Sequence, residues 1–228
     1  MSLSRAERLA ELHAAEARAM ALLDAIEARG FVAAGRTERE VEKDIYALAE
    51  LDFGVTEHWH KRICRAGANA KCTARDNPPV LTIAADDLVY LDLGPVFENW
   101  EADVGRSYVV GDDPLKHALV ADLSRGFDAM QAAYQGNQDI TGAALYALAT
   151  DWAEQQGWRF GGVIGGHIVG EFPHAHLPGE KDFYRINPAN TGRLRDPDPL
   201  GQDRLWIGEI HLVSVDGSFG GFYERLLD

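Results

Sequence analysis

The chain has 228 residues and 46% hydrophobic content, which suits a domain with a substantial core. Its 22 basic and 36 acidic residues give a formal charge of −14, which argues against nucleic acids and membranes as partners because both select basic surfaces. Cys64 and Cys72 are too few for a disulfide framework or a thiolate zinc site. No apolar stretch approaches the roughly 20 residues of a membrane span and the N-terminus is not signal-like, so we expect a cytoplasmic protein.

The N-terminal part predicts two amphipathic helices. Apolar residues recur at helical spacing from Ser4 to Arg29, and Gly30 supplies a stop. Thr37 and Glu40 form a capping box for the second helix. We expect both helices to cover a sheet with one face and to expose their charged faces to solvent.

The stretch from Leu88 to Val110 predicts a β-hairpin that brings two carboxylates together. Two apolar runs flank a polar turn near Phe97-Glu98. Pairing about that centre sets Asp92 directly opposite Asp103, with Cβ atoms about 5 Å apart, where like charges repel. Either a cation lies between them, or a bulge at Gly94-Pro95 shifts the register so that two solvated aspartates never meet.

The remaining elements predict a sheet with helices packed against one face. Residues 55–83 hold one or two strands, and Asp113 and Thr141 cap two further helices. A glycine-rich strand at 161–176 precedes about 30 irregular residues, Leu177 to Arg204, in a region with five prolines. A loop of that length is usually functional or disordered. Strands return at 205–213 and 219–227.

Three polar residues lie in segments that otherwise suit a buried strand. His167 follows Gly161 to Gly166, a run that lacks the Lys-Ser/Thr ending of a phosphate loop. Glu209 and Glu224 lie among apolar and aromatic residues, where an ionised carboxylate must be paired or metal-bound. Taken singly, each has a structural interpretation, as a core histidine or as a salt bridge with an arginine.

Taken together with the hairpin aspartates, these residues suit two metal ions. Each lies on a predicted strand or strand end, and the set is Asp92, Asp103, His167, Glu209 and Glu224. Two divalent cations would neutralise the four negative charges of its carboxylates. Oxygen-rich ligation with one nitrogen suits Mn, Fe(II), Co or Zn.

The segments that carry these residues resemble the pita-bread metallopeptidases, which include methionine aminopeptidases, Xaa-Pro aminopeptidases, prolidases and creatinase. The family's stretch with two metal-binding aspartates is similar to LVYLDLGPVFENWEADVGRSYVVG, and its glycine-histidine segment to GGHIVGEFPH. The segments that give its last two Glu ligands are similar to WIGEIHL and GGFYERL. The resemblance implies an α+β pita-bread fold, a curved antiparallel sheet backed by helices, with two metals in its hollow. It also implies that His174 contacts the substrate.

The chain departs from the family's pattern at four points. Ile-Val-Gly follows His167 in place of Gly-Ile-Gly, and Ile follows Glu209 in place of Pro. The family's histidine upstream of the first aspartate has no counterpart between Cys72 and Asp76. We also expect no counterpart of the separate N-terminal domain of prolidases and creatinase. We therefore expect a single catalytic domain over 1–228, with a helical part at 1–53 and the sheet and metal site at 55–228.

These features predict a dinuclear-metal-dependent hydrolase of an amide or peptide bond, aminopeptidase-like or prolidase-like. Its substrate would be a small molecule or a short peptide. Glu209 would take the proton of the attacking water, and His174 would stabilise the oxyanion or protonate the leaving nitrogen. Basic residues of the irregular loop could hold a substrate carboxylate, namely Lys181, Arg185, Arg193 and Arg195.

Other functions stay open at this point. A metal-dependent lyase or other non-peptidase enzyme on the same scaffold is favoured by the missing upstream histidine and the unusual loop. A binding protein that has lost catalysis is a third class, against which the retained ligands count. An amidohydrolase-type barrel, suggested by His174 and His176, needs about 250 residues and eight strand-helix units, which the sequence does not show. Homodimer formation is left open.

Overall fold

The helices of the chain begin at residues whose side chains cap them. In the computed structural model, which describes residues 3–61, 63–174 and 180–228, the α-helices are α1 (Arg5–Ala28), α2 (Glu38–Phe53), α3 (Pro114–Gly136) and α4 (Gly142–Gln155). Predicted capping oxygens of Thr37, Asp113 and Thr141 accept backbone N–H groups in the first turn, as Ser4 does for α1. Among the described residues, none of these helices combines the length and apolar character that crossing a bilayer requires.

The strands form one large antiparallel sheet and a small extension of the hairpin. They are β1 (Ile63–Ala66), β2 (Leu88–Leu93), β3 (Val96–Phe97), β4 (Trp100–Glu101), β5 (Val104–Val109), β6 (Arg159–Phe160), β7 (Gly166–Val169), β8 (Leu205–Val213) and β9 (Gly220–Leu226). Within the described ranges the large sheet has seven strands. Six of them follow the order β1-β2-β5-β9-β8-β6, and the seventh, β7, also pairs with β8. Strands β3 and β4 pair separately. The predicted α+β architecture of an antiparallel sheet with helices is confirmed.

Two hydrophobic clusters back the sheet. The first joins α1 and α2 to alternate residues of β2, and it includes Leu12, Leu23, Ile45, Val89, Leu91 and Leu93. The second joins α3 and α4 to alternate residues of β8, and it includes Leu119, Phe127, Leu145, Trp206, Ile210 and Leu212. Since successive side chains of a strand point to opposite faces, Asp92 points away from α1 and α2, and Glu209 points away from α3 and α4.

The predicted register of the hairpin is wrong by two residues. Asp92 pairs with Gly105, not with Asp103, because the turn lies at Glu98-Asn99. Those two residues have φ values of 52° and 73°, the left-handed conformation that a two-residue hairpin turn requires. An even shift keeps both aspartates on one face. Both are buried, so the alternative of two solvated aspartates is also wrong.

The expectation that the charged faces of α1 and α2 lie in solvent is wrong for two glutamates. Glu16 of α1 is buried and accepts both Arg225 nitrogens, at 2.8 and 2.9 Å, and the backbone N–H of Leu226. Glu38 of α2 is buried and accepts the backbone N–H groups of Ala66 and Leu81. These carboxylates therefore tie the helices to the sheet.

The loop regions are partly as predicted. Among the described residues of 55–83, β1 is the only strand, and it is followed by a 3-10 helix at Gly67–Lys71. The glycine-rich strand is shorter than expected, and His176 and residues 177–179 lie outside the described residues. From 180 to 204 the chain is irregular except for a 3-10 helix, Lys181–Tyr184. Buried Arg204 holds this loop together by donating to three backbone carbonyls.

Candidate metal centre

Neighbouring strands bring the five predicted ligands into one cavity. Pairing of Asp92 with Gly105, of Gly105 with Glu224 and of Glu224 with Glu209 forms a row across β2, β5, β9 and β8. Gly105 allows Phe222 and Glu224 to pack against its backbone, since a Cβ there would lie 2.6 Å from the Phe222 ring and 3.0 Å from Glu224 Cβ. Asp103 precedes β5, and β7 supplies His167.

The distances within the cluster suit metal ligation. His167 Nε2 lies 3.1 Å from Asp103 Oδ2, 3.6 Å from Glu209 Oε1 and 3.7 Å from Glu224 Oε1. Two donors about 2.1 Å from one ion, at angles of about 90 to 110°, lie roughly 3.0 to 3.4 Å apart. The His167 Nδ1 lies 2.8 Å from the Ile168 carbonyl oxygen, so that a proton on Nδ1 leaves Nε2 free as a ligand. The residues therefore fit a divalent ion.

The carboxylates are crowded and buried, and this changes their protonation. The exposed fractions of Asp92, Asp103 and Glu224 are 7%, 2% and 2%. Burial raises the pKa of Asp92 to about 6 and that of Glu209 to about 8, against the opposing effect of nearby imidazoles, and it raises the pKa of Glu224. Burial also acts on Asp103, but His60 and His167 outweigh it and lower its pKa. Without a cation, several of these groups hold protons near neutral pH.

Metal affinity is therefore expected to rise with pH. A divalent ion must displace the protons that Glu209 and Asp92 hold at their raised pKa values of about 8 and 6, so binding should strengthen as the pH increases from about 6 to 9. Calorimetric titration of metal-free protein in two buffers of different ionisation enthalpy measures both the affinity and the protons released. Affinity that does not change over this range, with no proton release, would contradict the expectation.

Sequence analysis missed a further histidine in this cavity. The segment Cys72 to Asp76 supplies no imidazole, as expected, but His60 reaches the aspartates from further upstream. Its Nε2 lies 3.2 Å from Asp103 Oδ1 and 3.4 Å from Asp92 Oδ1. Burial alone would lower the pKa of His60, but the two carboxylates outweigh it and raise the pKa to about 9. The structure links His60 to Gly94, more than thirty positions further along the chain, where a Cβ would lie 2.2 Å from the His60 ring.

His174 lies beside the cluster and is held by a buried carboxylate. Its backbone N–H donates to Glu101 Oε1 at 3.1 Å, and its Nδ1 contacts Glu101 Oε2. The His174 ring stacks with that of His167, with centroids 6.3 Å apart. Because the Glu101 carboxylate accepts from Nδ1–H, Nε2 of His174 is left for the cavity that the residue lines.

Two of the four predicted basic loop residues reach the cavity. Its volume is about 460 Å³, and Lys181 and Arg185 line it together with Arg75, which the sequence analysis had not singled out. Arg193 instead pairs with Asp139 and Asp196, at 3.1 and 2.7 Å. Arg195 donates to the Tyr134 carbonyl and stacks on its ring. The sequence alone does not distinguish the two basic residues that line the cavity from the two that bind elsewhere.

Comparisons with known proteins find relatives in sequence and in fold. Over 146 residues the chain is 28% identical to an Xaa-Pro dipeptidase of Lactobacillus helveticus, which covers 61% of this chain and 39% of that protein. The fold of the present chain matches that of an X-Pro aminopeptidase of Thermotoga maritima with a TM-score of 0.73 and 17% identity. The match covers 96% of this chain and 60% of that one. A prolidase of Pyrococcus furiosus matches with a TM-score of 0.73 and 19% identity, over 98% and 61%.

The chain spans about two fifths of the length of the curated relatives and about three fifths of the solved structures. The model of metallopeptidase family M24 matches residues 9–197, which is most of the sequence. The predicted resemblance to pita-bread metallopeptidases and the predicted fold are therefore confirmed, and the chain belongs to metallopeptidase family M24.

Proposed function

We propose that the chain is a dinuclear-metal-dependent hydrolase that cleaves the amide bond of a dipeptide or similarly small substrate. The observation that carries this proposal is the convergence of five potential ligands in one buried cavity: Asp92, Asp103, His167, Glu209 and Glu224. They would hold two divalent ions, with Mn, Co, Fe and Zn suited to the donor set. When bound, such ions polarise a carbonyl group and lower the pKa of water.

The side chains around the cluster would move the protons of the reaction. Glu209 Oε1 lies 3.6 Å from His167 Nε2, and with ions bound the ionised Glu209 carboxylate would take a proton from water and return it during the reaction. His174 lies beside His167 with its Nδ1 engaged by Glu101, which fixes the ring orientation. Its Nε2 would then stabilise the developing oxyanion or protonate the leaving nitrogen.

The cavity wall suggests a substrate with a free carboxylate. Arg75, Lys181 and Arg185 line the same cavity as the ligands. A volume of about 460 Å³ falls within the range of small-molecule sites, about 300 to 1,000 Å³. Guanidinium groups bind carboxylates bidentately. A dipeptide or N-acyl amino acid fits these features, and the Xaa-Pro dipeptidase among the relatives supports the dipeptide.

A second candidate is a metal-dependent lyase or other non-peptidase enzyme on the same fold. The observation that favours it is Arg75, which lines the cavity from the segment where a histidine was expected. A cytoplasmic location and a homodimer stay predictions from the sequence.

A substrate panel tests the proposed function. Protein loaded with Mn(II) or Co(II) is assayed on Xaa-Pro and other dipeptides, on the same dipeptides with amidated C-termini, on N-acyl amino acids and on peptides that begin with Met. We expect a free-carboxylate substrate to exceed its amide by roughly tenfold or more in kcat/KM, because an ion pair with the cavity arginines is lost in the amide.

The inactive control for this panel is Glu209→Gln, which keeps the size of the side chain and removes a carboxylate that serves both as a proposed metal ligand and as the proton acceptor. Its activity should fall with every substrate. Efficient removal of N-terminal Met would overturn the proposed substrate class. Absence of activity on every substrate of the panel, with protein fully loaded with metal, would favour the lyase.

A further inference from the structure

We propose that His60 is a sixth metal ligand, which binds the ion held by Asp92 and Asp103. Each of the two ions would then have one imidazole, His60 for the first and His167 for the second. This inference rests on the proposed dinuclear site, and it adds a nitrogen ligand to the set expected from the sequence.

Distances between donors support this assignment. His60 Nε2 lies 3.2 Å from Asp103 Oδ1 and 3.4 Å from Asp92 Oδ1, and one atom of each residue lies within 4.8 Å of the others. These separations fall within the 3.1 to 3.7 Å between His167 Nε2 and its neighbours, and they match donors about 2.1 Å from a common ion. Asp103 turns one oxygen to each imidazole, Oδ1 to His60 and Oδ2 to His167. Asp103 thus lies between two similar groups of three donors.

The two imidazoles are also oriented in the same way. His60 Nδ1 lies 2.8 Å from the carbonyl oxygen of Lys61, and His167 Nδ1 lies 2.8 Å from that of Ile168. In both residues the following carbonyl oxygen accepts from the Nδ1–H group, so the lone pair of Nε2 would face Asp103 and an ion once the ion has displaced any proton on Nε2. Metal-binding histidines are typically fixed by such a hydrogen bond on the second nitrogen.

The backbone holds His60 in this place. The Trp59 N–H donates to the Gly94 carbonyl, and the Val96 N–H donates to the Glu57 carbonyl, each at 3.0 Å. Trp59 Nε1 donates to the carbonyl of Ala102, next to Asp103, and its ring contacts that of His60 at a centroid distance of 4.5 Å. The segment that ends at His60 is thus bonded to both sides of the hairpin that carries the aspartates.

A nitrogen ligand changes what the first ion can be. With oxygen donors alone, this position would suit hard ions such as Mg and Mn, whereas an imidazole favours Zn, Co and Fe. His60 also occupies a coordination position, which leaves fewer for water and substrate. The first ion would therefore be held more firmly than by Asp92 and Asp103 alone.

Titration of His60→Ala with Co(II) and Zn(II) tests the proposal. Wild type should bind two ions. In His60→Ala the affinity of one should fall at least about tenfold, while the other stays within about twofold, because His167, Glu209 and Glu224 are unchanged. X-ray absorption of the Zn-loaded proteins should show about one imidazole per ion in wild type and about half of one in the variant at full loading.

Two further variants control for fold and for proximity. His174→Ala removes a neighbouring imidazole that is not part of the ligand set, and it should bind both ions as wild type does. Gly94→Ala keeps the imidazole but displaces it, since a Cβ would lie 2.2 Å from the His60 ring, and it should reproduce the loss of affinity. Circular dichroism and thermal melting of the metal-free proteins check that each variant folds.

The outcomes separate this inference from the proposed function. Wild-type affinity for both ions in His60→Ala, with unchanged imidazole scattering, would overturn the sixth ligand and assign any loss of activity to a contact with the substrate. Two ions with one imidazole each, in a protein that cleaves none of the peptides, would support the ligand and reject the peptidase.

Discussion

Asp103→Asn is expected to remove most of the bound metal and to lower kcat/KM by at least about 10³-fold. The reason is that Asp103 belongs to both donor groups, with one oxygen 3.2 Å from His60 Nε2 and the other 3.1 Å from His167 Nε2. An amide nitrogen cannot ligate a cation, so the substitution should weaken both positions. Elemental analysis after mild purification and steady-state kinetics measure the two effects.

Melting curves give a second readout of the same change. Metal stabilises the folded state by mass action, about 2.7 kcal/mol when the free ion is at a hundred times its dissociation constant. A chelator should lower the Tm of wild type, and added metal should restore it. In Asp103→Asn the chelator should have little effect. Asp139→Asn, at an exposed position, is the matched control and should behave as wild type.

An Asp103→Asn protein that keeps two ions and its activity would contradict this assignment. A wild-type melting curve that does not respond to chelator would indicate that the cluster is held by hydrogen bonds and ion pairs instead of metal.

Local signals were sufficient to predict the helices and the faces of the strands. Thr37 and Glu40 lie three residues apart and satisfy each other's backbone, so the start of α2 could be read from the sequence. The register of the hairpin could not be read from the sequence, because the turn residues are Glu98 and Asn99 and a glutamate does not indicate a positive φ. The predicted face of the sheet for Asp92 was still correct, since a register shift by an even number of residues keeps each side chain on the same face.

Residues placed by long-range contacts were the ones that sequence reasoning missed. His60 reaches the cavity because its segment bonds to the backbone at Gly94, more than thirty positions along the chain, and no periodicity marks such a contact. Glu16 was expected in solvent because it lies among charged residues of α1. Its partner is Arg225, 209 positions away, which only the fold brings near.

The five predicted ligands, by contrast, could be found because each breaks the pattern of its own segment. Asp92 and Glu209 are carboxylates within otherwise apolar strands, where burial without a counter-charge is costly. The resemblance to a family then assigned them a common role. The comparisons support that family, and the metal analysis of Asp103→Asn tests the assignment at one of the five residues.

His174→Ala is expected to lower kcat by about 10²-fold or more while metal content stays at the wild-type level. Its ring is not part of the donor groups around Asp103, yet it lies within 6.3 Å of the His167 ring, and Glu101 fixes its Nδ1. A group that protonates the leaving nitrogen acts only as the bond breaks, so the loss should be in kcat more than in KM.

The sharpest measurement compares an amide substrate with its ester analogue in the same cavity. An alkoxide leaving group needs less help from an acid than an amine does, so the ester should lose much less activity in His174→Ala than the amide. His13→Ala, an exposed histidine of α1, is the control for loss of an imidazole elsewhere. Equal losses for amide and ester would assign His174 to oxyanion stabilisation instead, since both substrates pass through a tetrahedral oxyanion. Unchanged kcat with both substrates would remove His174 from the reaction altogether.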